Sequence, residues 1–206
     1  MTRTFFGFYE MDASPQHGVA GDLAARLGSA SEADGFVDGA VYVRSDAAAV
    51  AIELRHRDED GWHERGLPAV LLQAADWRSR ESDARPYRLA RTVAGDGDAP
   101  GDSTFFIVQR FTVKAGQQAA FVQAICDHAA TYAAPIPGFL AAAAYASLDG
   151  TRAVFVMPWA HEAALNSLEN REGALEAMQT HLRMTEHHSY ASYQRISYLR
   201  AQRENV

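Results

Sequence analysis

The chain has 206 residues, 48% of them hydrophobic, and carries a formal net charge of -7. That apolar content is enough for a packed core and excludes disorder, and the absence of any Lys/Arg-rich block excludes nucleic acid as the main partner. The longest apolar stretches, such as 139–146, are too short to span a bilayer; no cleavage-site pattern follows Met1-Thr2-Arg3-Thr4, and a lone Cys126 cannot build a disulfide framework, so a cytoplasmic location is expected.

In chain order, residues 4–11 read as an aromatic-rich strand. Ser14-Pro15 supplies an N-cap with proline at the first helical position, and Val19, Leu23, Ala24 and Leu27 follow at helical spacing up to Gly28. Residues 36–44 and 48–55 form a strand pair around Ser45-Asp46, 68–77 a helix with Val70, Leu71, Ala74 and Trp77 as its apolar stripe, and 87–93 a closing strand. The Gly/Asp-rich stretch from Gly95 to Asp102 has the composition of a flexible linker.

The same order then returns. Residues 105–113 read as a strand and 117–133 as a helix with Phe121, Ala124, Ile125 and His128 on one face, stopped by Pro135 and Pro137. Residues 139–147 and 152–158 form the second strand pair, 161–185 is mostly helical with a break near Gly173, and 190–199 is the last strand. Thr4-Phe5-Phe6 recurs as Thr104-Phe105-Phe106, and Gly35-Phe36-Val37 as Gly138-Phe139-Leu140. Two matches in the same order point to an internal repeat. The predicted class is therefore α+β: two fused ferredoxin-like βαββαβ repeats, 1–94 and 103–206, joined by a linker at 95–102 and forming a pseudo-dimeric α/β barrel. Their bare sheet faces are expected to enclose one apolar, ligand-sized cavity.

The second repeat carries Pro137-Gly138-Phe139-Leu140, then Tyr145, Asp149-Gly150-Thr151, and a strand ending in Trp159-Ala160-His161-Glu162-Ala163. This series resembles the antibiotic-biosynthesis monooxygenase family over roughly residues 104 to 182, and the first repeat matches it weakly. The resemblance implies a monooxygenase that tailors an aromatic polyketide, by quinone-forming hydroxylation or by oxidative ring opening. Dioxygen would be a substrate and no bound metal is expected. No cofactor is required on this reading, and reduced flavin is left open as a co-substrate. Polyketide cyclisation, haem degradation and a non-catalytic ligand-binding accessory role are the rival readings. A small aromatic polyketide is the expected partner, with no membrane partner, and homodimer formation is left open.

Anthrone oxygenases of this family use an Asn and a Trp four residues apart. Here Trp159 fills the Trp position, but Phe155 stands where the Asn would be, and the equivalent pair in the first repeat is Ile52 and His56. By this resemblance Trp159 lines the cavity, where its indole could stack on a polycyclic ligand and donate to a substrate oxygen. His56, kept neutral by a dry cavity, would be the base that deprotonates a phenol or anthrone. Each residue also has a plain reading, Trp159 as packing and His56 as a rim residue among Arg55, Arg57 and Asp58. Phe155, Tyr145, Tyr42, His128 and Arg44 are the candidate substrate-binding residues. His181, His187, His188 and Glu186 form a dense cluster, but their spacing does not share one helical face, so a metal site would need a sharp turn near Thr185. A histidine of this cluster is better placed at the cavity entrance.

Overall fold

A computed structural model describes residues 2–11, 16–31, 35–46, 48–57, 79–97, 100–101 and 104–201. The expected helix at 68–77 and the Ser14-Pro15 cap lie outside the described residues. Among those described, no helix is long and apolar enough to cross a membrane. The chain divides into two compact units, one of residues 1–87 with 194–206 and one of residues 88–193.

The N-terminal unit holds β1 (Arg3–Met11), α1 (Gln16–Ala30), β2 (Phe36–Arg44) and β3 (Ala49–His56), with the first part of β4 (Ser79–Ala94). β3 pairs antiparallel with both β1 and β2, from Arg3↔His56 to Glu10↔Ala49 and from Phe36↔His56 to Val43↔Val50. Strand alternation sends Val50, Ile52 and Leu54 to one face, where Leu23 and Leu27, one helical turn apart on α1, complete the core with Phe5, Tyr9 and Phe36. Gly7 is glycine because the Tyr9 ring lies over it: a Cβ there would come within 2.7 Å of the Tyr9 hydroxyl oxygen. On the opposite face the Tyr42 hydroxyl donates to Glu53 Oε2 at 3.0 Å, and Asp38 is paired with Arg55.

The C-terminal unit holds β5 (Phe105–Val113), α2 (Gln118–His128), a π-helical turn (Ala129–Ala133), β6 (Ala141–Ser147), β7 (Arg152–Trp159), α3 (Glu162–Glu169) and α4 (Ala174–Leu182). It also contains residues 88–94 of β4 and 185–193 of β8 (Thr185–Arg200). β5 pairs with β7 from Phe105↔Trp159 to Thr112↔Arg152, and β6 with β7 from Ala143↔Val156 to Ala146↔Ala153. Odd-numbered residues of β5 and β7 face the helices. There Phe111, Phe155 and Trp159 pack against Phe121 and Ile125 of α2.

The α+β class with a repeated ferredoxin-like order is the observed one. The compact units, however, are not the sequence repeats. β4 and β8 are 16 residues each, about 53 Å at 3.3 Å per residue, well beyond the usual strand length. Each therefore contributes one part to each unit, and the N-terminal unit takes its last strand segment from residues 194–200. Gly95, expected to begin a free linker, is instead held: its N–H donates to the Leu140 carbonyl at 3.1 Å. A Cβ at that position would meet the Phe139 carbonyl oxygen at 2.2 Å.

Candidate functional site

The sheet of the C-terminal unit and its covering helices leave a pocket of about 400 Å³. β5 supplies Ile107 and Gln109 to its floor, and Met157, the register partner of Ile107, comes from β7. His188 and Tyr190 of β8 extend that floor. Leu165 and Leu168 of α3 and Ala174, Met178 and Leu182 of α4 form the roof, the last three following the i, i+4, i+8 spacing that keeps side chains on one helix face. Glu169 and Leu175 complete the roof. The mouth is on the side of Leu175 and Tyr190, which are 66% and 65% exposed.

The roof takes its form from local signals. His161 caps α3, its Nδ1 accepting from the Ala164 N–H at 3.2 Å. Gly173 then adopts a φ of +78°, which breaks the helical run and starts α4 in a new direction. Arg171 in the connection donates to the Tyr132 carbonyl at 3.2 Å, which ties the roof to the π-helical turn. That turn is closed by the Ala134 N–H donating to the Ala129 carbonyl at 2.8 Å, five residues back, and such turns are frequent at functional sites.

His128, the last residue of α2, closes the buried end of the pocket at 6% exposure. Its Nδ1 is buried and has no hydrogen-bond partner among the described residues. The Tyr132 ring lies 4.9 Å away and the His181 ring stands perpendicular to it at 5.5 Å. Burial, helped by repulsion from His181, pushes the His128 pKa down to about 4, so the ring is neutral near pH 7. His181 is lowered too, by its own burial, against the opposing pull of Asp127. Asp127 is in turn paired with Arg91 at 3.0 Å.

This burial has a consequence for stability. The unfolded chain protonates His128 near 6.5 while the folded chain resists to about 4, so stability is full above the unfolded value and is lost as pH falls through that window. The loss should reach about 3 kcal/mol, at 1.36 kcal/mol per pKa unit. Urea denaturation between pH 7 and pH 4 should show a flatter profile for His128→Gln than for the wild type, and identical profiles would refute the assignment.

Of the residues singled out in the sequence, His128 lines this pocket. Trp159 is fully buried in the core of the same unit, edge-on to Phe139 at 5.1 Å, with Nε1 buried and without a partner. Phe155 shares that core, two residues from the pocket-lining Met157. Tyr145 is buried and pairs with Val154, which puts it on the opposite face of the sheet. Tyr42, Arg44 and His56 belong to the N-terminal unit. Arg44 there binds Glu10 at 3.1 Å and Asp46 at 2.7 Å. His56 is 2% exposed and covers Gly35, whose φ is +85° and whose Cβ, if present, would lie 2.5 Å from His56 Cε1. His187 and His188 are neighbours on β8 and so point to opposite faces; His188 stacks on Phe111 at 6.3 Å. Gln109, Met157 and the α3–α4 roof line this pocket without being among the candidates that the sequence singles out. Leu165, Leu168, Met178 and Leu182 carried the available signal, a helical apolar stripe with no assigned counterpart.

Fold and pocket define a two-repeat ferredoxin-like protein with a ligand-sized cavity in its C-terminal unit. Residues 104–191, within the second repeat, match the family model of the antibiotic biosynthesis monooxygenases. No protein of curated function matches the sequence. Among solved structures, an anthrone oxidase-like protein shares the fold at a TM-score of 0.80 and 16% identity, over 97% of this chain and 93% of its own. A monooxygenase candidate from Fusobacterium nucleatum subsp. nucleatum shares it at 0.71 and 9% identity, over 97% and 94%. One from Lactobacillus acidophilus does so at 0.65 and 11%, over 97% of each chain.

Proposed function

We propose that this protein is an oxygenase that oxidises an apolar aromatic molecule of the polyketide type, with dioxygen, in the pocket of the C-terminal unit. The observation that carries this reading is the pocket itself: about 400 Å³, roofed by leucine and methionine side chains and closed at its buried end by a neutral histidine. Its volume is within the range of small-ligand sites, and flat hydrocarbon surface fits such walls. Among the described residues the pocket's lining contains Glu169 and no Lys or Arg, which suits an apolar substrate better than a phosphate- or carboxylate-rich one.

For an anthrone, the balance closes without a reductant. The ring methylene loses two hydrogens and gains one oxygen atom as a carbonyl, and the second oxygen atom leaves as water with both hydrogens. Excluding water around the reacting carbon protects the anion formed on the way.

The test is aerobic incubation with 1,8-dihydroxyanthrone, read by an oxygen electrode and by mass spectrometry after labelling with oxygen-18 gas. One dioxygen consumed per quinone formed, with one labelled atom retained, above the protein-free rate, is the expected result. Tight binding without oxygen uptake would instead identify an accessory ligand-binding protein, and a Soret band on adding haem would favour the haem-degrading alternative.

A further inference from the structure

We infer that His128 is the catalytic base of this pocket: its imidazole takes the proton of the substrate's acidic C–H or O–H, and His181 beside it is a positioning residue that tunes the ring. This rests on the oxygenase reading and assigns the proton-transfer step within it.

His128 lines the pocket while being 94% removed from solvent, and among the described residues no group hydrogen-bonds to its Nδ1. A buried polar atom left without a partner costs about 1–3 kcal/mol. The groups around it come from every neighbouring element. Tyr132 lies in the π-helical turn, His181 on α4, and Glu169 on α3. Gln109 on β5 and His188 and Tyr190 on β8 line the same pocket. On its own helix, Asp127 is taken by Arg91. Among these, Glu169 and His188 are exposed, whereas His128 is buried.

In the step itself the C–H or O–H bond breaks, its electron pair stays on the substrate, and an N–H bond forms on His128. The ring is hard to protonate in the empty pocket because an isolated imidazolium would be desolvated there. The substrate anion formed alongside removes that objection by supplying the countercharge. After dioxygen has reacted, the proton leaves His128 with the water produced, which restores the neutral ring. His181, half-buried and with its ring 5.5 Å from that of His128, adds to the effect of burial in lowering the pH at which the resting ring is lost to protonation.

The step can be isolated by working without oxygen. Exchange of the C10 hydrogens of 1,8-dihydroxyanthrone in heavy water, followed by proton NMR, reports deprotonation alone. The wild type should accelerate exchange over buffer. His128→Asn should lower the protein-dependent rate by about 100-fold, as loss of a general base does, with the dissociation constant for the anthrone changed less than about threefold. His181→Asn should keep the exchange but move its acid limb up from about pH 4, since the repulsion that lowers His128 is gone. Full-rate exchange by His128→Asn, or an acid limb unmoved in His181→Asn, overturns the assignment. A wild type that consumes oxygen yet gives no accelerated exchange overturns it while leaving the oxygenase standing. Failure of the anthrone to bind overturns both.

Discussion

Replacing Met178 with Trp is expected to weaken binding of a tricyclic aromatic ligand by at least about tenfold, or 1.4 kcal/mol, with little change in thermal stability. Met178 sits on the roof helix α4, is half-buried, and faces the pocket rather than the close-packed core of the unit. The larger side chain therefore grows into free volume of about 400 Å³. Overpacking a filled core would instead cost about 1–3 kcal/mol. Titration by ligand fluorescence and a thermal melt read the two quantities independently. An unchanged affinity in a folded variant would show that the ligand binds elsewhere, and the functional assignment would fall with it.

The second large effect is on stability. Trp159→Ala should destabilise the protein by about 3–5 kcal/mol, a substantial share of the 5–15 kcal/mol typical of a folded domain. The reason is its place: Trp159 is fully buried at the end of β7, packed edge-on against Phe139 and opposite Phe105 in the ladder. Trp159→Phe should cost far less, about 1 kcal/mol, because it keeps most of the apolar volume and removes an indole N–H that has no partner. Its turnover should stay within about threefold of the wild type, since the pocket lining does not include the indole. Urea denaturation and steady-state kinetics check these statements. A small stability loss with Ala, joined to a 100-fold drop in turnover with Phe, would mean that the indole N–H reaches a reacting oxygen after all.

The relation between sequence and structure differs from element to element. The hairpin turns at Ser45-Asp46 and Asp149-Gly150 were legible because Asp and Gly suit turns: Asp149 Oδ1 accepts from the Thr151 N–H at 3.0 Å and Gly150 has a φ of +77°. The break at Gly173 was legible for the same reason, a left-handed residue that few others tolerate. The first eight residues of β4, Ser79 to Pro86, are mostly polar and contain a proline, so nothing in their own pattern announces a strand. They are extended because β1 offers them a ladder, from Phe5↔Pro86 to Glu10↔Glu81. The start of β8 at Thr185–Ser189 is likewise mostly polar, and its own pattern places the end of a helix at Thr185 and a strand only from Tyr190.

The candidate site shows the same division. His128 could be picked out because a histidine on the apolar face of a helix invites the question of what it touches. What it touches could not be read, since Tyr132 is four residues away while His181 is fifty-three positions further on, and only packing of α4 over the sheet brings that ring to 5.5 Å. Local chemistry, carried by side chains and their immediate neighbours, settled the α+β class, the turns, the repeated order and the family resemblance of residues 104–191. Contacts between distant segments decided the rest: which strands run on for 16 residues, which unit each part joins, and on which face of the second sheet a pocket opens. Those outcomes depend on free energies of pairing and burial that exist only once both partners are in place.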